Sequence, residues 1–75
     1  MQGRVVRFDD NKGWGFVRED ETGRDYFFHH SGILGQRGRR SLNADDVVSF
    51  DVIEGARGLQ AVNVLRLSPV YPDAA

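Results

Sequence analysis

Residues 12–30 decide the fold: Lys12-Gly13-Trp14-Gly15-Phe16-Val17-Arg18-Glu19-Asp20-Glu21-Thr22-Gly23-Arg24-Asp25-Tyr26-Phe27-Phe28-His29-His30. Two short apolar runs flank Asp20-Glu21-Thr22-Gly23, which is rich in turn formers. Neither run follows the helical period, so the stretch reads as a hairpin of two strands, Trp14 to Glu19 and Asp25 to His29. Successive strand residues point to opposite faces. Trp14 and Phe16 therefore share one face, and Gly15 and Val17 share the other. On the next strand Phe27 and His29 share a face, with Tyr26 and Phe28 opposite. If Val17 and Phe28 point inward, then Trp14, Phe16, Phe27 and His29 form one solvent-facing patch. The inverted register would bury Phe16 and Phe27 and turn Tyr26 outward. Phe8 suits either the patch edge or the core.

Outward from this hairpin the same pattern recurs. A first strand spans about Gly3 to Phe8, and Asp9-Asp10-Asn11-Lys12-Gly13 supplies a turn. After His30 comes a long connection containing Gly32, Gly35 and Gly38. A fourth strand spans about Val47 to Ile53. Glu54-Gly55-Ala56-Arg57-Gly58 turns the chain into a fifth, about Leu59 to Leu67. A three-strand meander, a long link and a hairpin predict an all-β fold, a small five-stranded antiparallel OB-type barrel over residues 1–67. Residues 68–75, with Pro69 and Pro72, are expected to be a flexible tail.

The chain has 75 residues, 40% of them apolar and 28% charged, which suits one globular domain with a thin core. No apolar run approaches the ~20 residues of a membrane span, and the N-terminus does not read as a secretory leader. With no cysteine, neither disulfides nor a thiolate metal site is available, and a reducing cytoplasm is the expected compartment. The net charge of −1 argues against a strong nonspecific polyanion binder. Its distribution matters more. Nine of the ten basic residues are Arg, which can stack on bases as well as pair with phosphate. Arg37, Arg39 and Arg40 cluster in the long connection, as a solvated loop or as phosphate contacts. The acids cluster at Asp9-Asp10, Glu19-Asp20-Glu21 and Asp45-Asp46, and read as turn residues.

An exposed aromatic patch costs solubility and normally marks a binding site. Rings flanked by cations suit single-stranded nucleic acid, where each stacked base contributes roughly 1–3 kcal/mol. Gly13 and Gly15 bracket Trp14. They either leave its ring open to a base or serve a turn and a barrel bend. His29 and His30 do not read as a metal pair, because adjacent strand residues point to opposite faces and no third ligand is near. Ser31 follows His30 directly, and no nucleophile-elbow motif accompanies it, so the chain reads as no enzyme and needs no cofactor. A protein-interaction module that reuses the aromatic face is the alternative function.

Lys12-Gly13-Trp14-Gly15-Phe16-Val17 resembles the first ribonucleoprotein motif of cold-shock domains, and Tyr26-Phe27-Phe28-His29-His30 resembles the second. The resemblance continues in Gly3-Arg4-Val5, Ser31-Gly32-Ile33, Val48-Ser49-Phe50-Asp51-Val52 and residues 54–64. It implies sequence-tolerant binding of single-stranded RNA and DNA by a monomer, with dimerisation left open, and activity as an RNA chaperone or transcription antiterminator. By position it implies contacts at Lys12, Trp14, Phe16, Asp25, Phe27, His29 and Arg57, with the Asp25 carboxylate accepting from a base edge. The chain departs from the family where a Lys and an exposed Trp are usual, at Val6 and Arg7. An aromatic is replaced by His30, a loop aromatic is lost near Arg39, and the usual Pro is Leu59. Arg7, His30 and Arg39 thus stand at stacking positions, which implies weaker or narrower binding than the family norm, with greater dependence on salt.

Overall fold

The structure is a computed structural model describing residues 1–34, 42–56 and 58–67. The strands are β1 (Gln2–Asp9), β2 (Trp14–Glu19), β3 (Asp25–His29), β4 (Ile33–Leu34), β5 (Val47–Gly55) and β6 (Gly58–Arg66). Antiparallel pairing joins β3 to β2, β2 to β1, β1 to β5 and β5 to β6. A parallel contact between Phe27 and Gln60 joins β3 back to β6 and closes a five-stranded barrel of OB type.

The two-residue strand β4 lies in the long connection, where the sequence predicts none. After His29 the chain makes one 3₁₀ turn, His30–Gly32. Ile33 then drops into the core and pairs in parallel with Val64. Two residues are too few to carry a period, so only the long-range pairing defines this element. Residues 68–75, expected as a tail, lie outside the described residues.

The core settles the register left open by the hairpin. Val17 and Phe28 are fully buried, joined by Val5, Tyr26, Ile33, Leu42, Val48, Phe50, Ala61 and Val64. Trp14, Phe16 and Phe27 must therefore point outward. Phe8 belongs to the core edge, its ring stacked on Phe28 with centroids 5.6 Å apart.

Two bulges shape this packing. In β1 the pairing moves from Val5 opposite Val17 to Arg7 opposite Phe16, so Val6 is the extra residue. Val5 and Phe8 then both face inward, while Arg4 and Arg7 both face outward. In β6 the extra residue lies around Asn63, whose φ of 52° is left-handed. Ala61 and Val64, three positions apart, both reach the core as a result.

One acidic residue departs from its expected turn role. Glu19 ends β2 and is buried at 8% exposure. Its Oε1 accepts hydrogen bonds from Thr22 Oγ1 at 2.9 Å and from Tyr26 Oη at 3.5 Å. That pairing answers the cost of burying both polar groups, and it ties the β2–β3 turn to the core.

Val48 is completely buried on the inner face of β5. Val48→Ala is expected to destabilise the barrel by about 1.5–3 kcal/mol through lost transfer energy and a cavity. In a domain of this size each kcal/mol moves Tm by roughly 4–8 °C. Thermal unfolding followed by circular dichroism checks this, and a variant as stable as wild type would mean that the β5 faces are reversed.

Candidate nucleic-acid interface

The pairing of β2 with β3 lines up three outward cross-strand pairs: Trp14 with His29, Phe16 with Phe27, and Arg18 with Asp25. Beside them, the β1 bulge sets Arg7 opposite Phe16. The three rings touch one another. Trp14 lies 5.8 Å from Phe16, edge to face at 86°, and 6.0 Å from Phe27 at 33°. Phe16 and Phe27 are 6.1 Å apart at 75°. Edge-to-face contact suits the ring quadrupoles, and each ring is half-buried by its neighbours. The patch is thus a stepped surface rather than a flat plane.

Cations border the rings. The Arg7 guanidinium lies 5.7 Å from the Trp14 centroid, a cation–π contact. Lys12 is exposed in the β1–β2 turn. Asp9 shapes that turn, its Oδ1 accepting from the amides of Asn11 at 2.9 Å and Lys12 at 3.1 Å. An open groove of about 540 Å³ is lined by Lys12, Trp14, Phe27, His29, Ser31, Ala56 and Gln60. Gln60 enters through the contact that closes the barrel, a long-range pairing with no local sequence signal.

The two glycines of the first motif have structural duties. Gly15 is buried on the face opposite Trp14, and a Cβ there would lie 2.2 Å from the Arg7 carbonyl oxygen. It permits β1 and β2 to cross closely and does not open the ring to a base. Gly13 has φ of 78°, and its Cβ would meet the His30 ring at 2.7 Å. Its carbonyl accepts from the His30 amide at 2.8 Å.

The histidines also differ from the strand expectation. Strand alternation ends at His30, where the 3₁₀ turn begins, so the His29 and His30 rings lie side by side with centroids 4.4 Å apart. His29 Nδ1 lies 2.9 Å from Ser31 Oγ and accepts from the Ser31 amide at 3.3 Å. Among the described residues no group of three or more metal-binding side chains forms.

Asp25 is engaged by a residue that the motif reading passed over. Arg18 Nε and Nη2 donate to its two oxygens at 2.7 and 3.2 Å. Strict alternation from Phe16 would have flagged Arg18 as the next outward position on β2. Hydrogen bonding from Arg18, aided by its charge and opposed by slight desolvation, holds the Asp25 carboxyl below its ordinary value. Both side chains are exposed, so the pair adds little stability. Of the ten candidate contact residues, Arg7, Lys12, Trp14, Phe16, Asp25, Phe27, His29 and His30 gather on and around this face. Arg39 and Arg57 lie outside the described residues.

A closed OB-type barrel carrying an outward aromatic ladder is the architecture of a single-strand-binding domain. The chain belongs to the cold-shock domain family: the family model described as 'Cold-shock' DNA-binding domain matches residues 1–67. It is 51% identical over 67 residues to the cold shock-like protein CspC of Bacillus cereus, covering 89% of this chain and all of that one. It is 44% identical to the cold shock protein CspB of Geobacillus stearothermophilus over 67 residues, covering 89% of this chain and 98% of that one. The solved structure of drosophila Unr CSD456 matches with a TM-score of 0.71 at 30% identity, covering 96% of this chain and 28% of that one. Domains of this family bind nucleic acid and are not enzymes. Among the described residues no helix is long and apolar enough to cross a membrane.

Because Asp25 has a depressed pKa in the fold, its small contribution to stability is present above its unfolded pKa and is lost as pH falls through the lower folded value. Arg18→Gln is expected to return the Asp25 pKa to the ordinary carboxylate range. An NMR titration of the Asp25 carboxyl carbon measures this, and an unchanged midpoint would refute the assigned cause.

Proposed function

We propose that this chain binds single-stranded RNA and DNA with little sequence preference, through Trp14, Phe16 and Phe27 flanked by Arg7, Lys12 and His29. The observation that carries this reading is three mutually touching, half-buried rings on the outer face of adjacent strands with cations at their border. Bases stack on ring faces whatever their identity, and the cations meet backbone phosphates. Asp25 accepts a hydrogen bond from a base amino or imino group through a lone pair that Arg18 leaves free. The family resemblance adds His30, Arg39 and Arg57 to the proposed contacts.

The same chemistry gives an RNA-chaperone or antitermination role by a passive route. Bases held on the rings cannot pair with one another, so binding shifts hairpins towards the open form by mass action. Arg and His at positions where the family resemblance implies rings reduce apolar stacking and raise the share of affinity from charge. Binding is therefore expected to be weaker than with a full set of rings, and more sensitive to salt.

Trp14 is the only tryptophan, so its fluorescence reports on one place. Titration with a short single-stranded oligopyrimidine is expected to quench it to saturation, with a log–log salt slope of about −0.7 per phosphate neutralised. Trp14→Ala is expected to weaken binding of a labelled oligonucleotide by about 1–3 kcal/mol while the variant stays folded. Absence of quenching at low salt would sink the stacking role and leave the aromatic face to a protein partner.

A further inference from the structure

We propose that Arg4 and Arg18 form a subsite for one backbone phosphate of the bound strand, next to the aromatic ladder, and that Asp25 positions Arg18 for it. This rests on the strand-binding reading above and extends it to a place where no ring is present.

The placement follows from register. Arg4 on β1 lies directly opposite Arg18 on β2, and Arg18 lies opposite Asp25 on β3. Without the bulge at Val6, the β1 residue facing outward next to Phe16 would be Val6. With it, Arg4 and Arg7 share the outer face and continue as a cationic border along the ladder. Like charges directly opposite across strands are destabilising. Only one of these two is neutralised, because among the described residues Arg4 makes no ion pair. An anion between them relieves the repulsion.

Asp25 does not consume Arg18. It engages two of the five guanidinium N–H donors, through Nε and Nη2. The remaining donors are held in a fixed plane, which suits the oxygens of a phosphodiester. Arg4 and Arg18 also line a shared groove of about 300 Å³ with Val5, Val6, Glu19, Asp20, Gly23 and Asp45. The carboxylates there oppose an anion and keep the expected effect small.

The test compares wild type with Arg4→Gln, Arg18→Gln and the double variant. All four are titrated with oligothymidylates spanning about 4 to 16 nucleotides, the range of site sizes for such barrels, over a series of salt concentrations. Trp14 fluorescence is the readout, and circular dichroism verifies folding. A phosphate shared by two guanidiniums predicts that the double variant loses about 0.7 from the salt slope, as expected for one phosphate. The loss should vanish on strands too short to reach the subsite. A double loss near 1.4, or an equal loss at every length, means two separate screened charges and overturns the shared site. Unchanged slopes with wild-type quenching intact also overturn it while leaving the ladder standing. No quenching in wild type is the distinct failure of the strand-binding reading itself. Inorganic phosphate that shifts the Arg4 and Arg18 Nε–H resonances while the slopes stay equal would mean a site for free phosphate, and would overturn the strand assignment.

Discussion

The close crossing of β1 over β2 is the constraint on which the rest of this barrel depends. Phe8 pairs with Gly15, and the backbone at Arg7 and Phe8 passes where a side chain on residue 15 would be. The missing side chain lets the Phe8 ring reach Phe28 and close that end of the core. The bulge at Val6 is part of the same crossing. It supplies the bend that a small closed barrel needs, and it shifts the inward set on β1 from Val5 to Phe8. One local irregularity thus fixes the packing inside the barrel and the charge outside it, because Arg7 joins Arg4 on the outer face only through that shift.

The outer face answers a conflict between binding and solubility. Three large rings lying flat on the surface would expose a continuous apolar patch. Here Phe16 stands steeply to both Trp14 and Phe27, and each ring covers part of its neighbour. Ring faces remain available, yet much of the apolar area is already spent within the ladder. Arg7 over Trp14 covers more. A base that stacks on Trp14 must displace this guanidinium or stack from its other side. In the proposed binding mode, this covering of apolar area comes partly at the expense of stacking affinity.

The hairpin over residues 14–29 was legible in the sequence because alternation, turn chemistry and aromatic content agreed within one short stretch. Which face of the hairpin turns inward stayed open in the sequence, and the burial of Val17 and Phe28 settles it. What escaped depended on pairings that no local pattern records. Gln60 joins the groove only through barrel closure, and β4 exists only because Ile33 finds Val64. The neighbouring His29 and His30 rings escaped because strand alternation was carried one residue too far. Glu19 passed for a turn residue because its partner, Tyr26, lies across the hairpin. Gly15 left two readings open, an unobstructed Trp14 ring or a barrel bend, and the adjacent backbone explains it.

Arg18 shows how a polar residue at the end of a ladder can be overlooked and still alter its chemistry. It continues the outward face of β2 in strict alternation, but motif reading stops at the rings. Its bond to Asp25 changes what that carboxylate offers. A lone carboxylate beside a nucleic-acid strand repels phosphate. A carboxylate paired with Arg18 carries no net excess charge, keeps spare lone pairs for a base donor, and leaves guanidinium N–H groups for an acceptor. The pair therefore presents donors and acceptors side by side on a surface otherwise made of rings. In the proposed binding mode, where stacking cannot tell one base from another, an edge of that kind is the part of the face with hydrogen-bonding groups for a base edge.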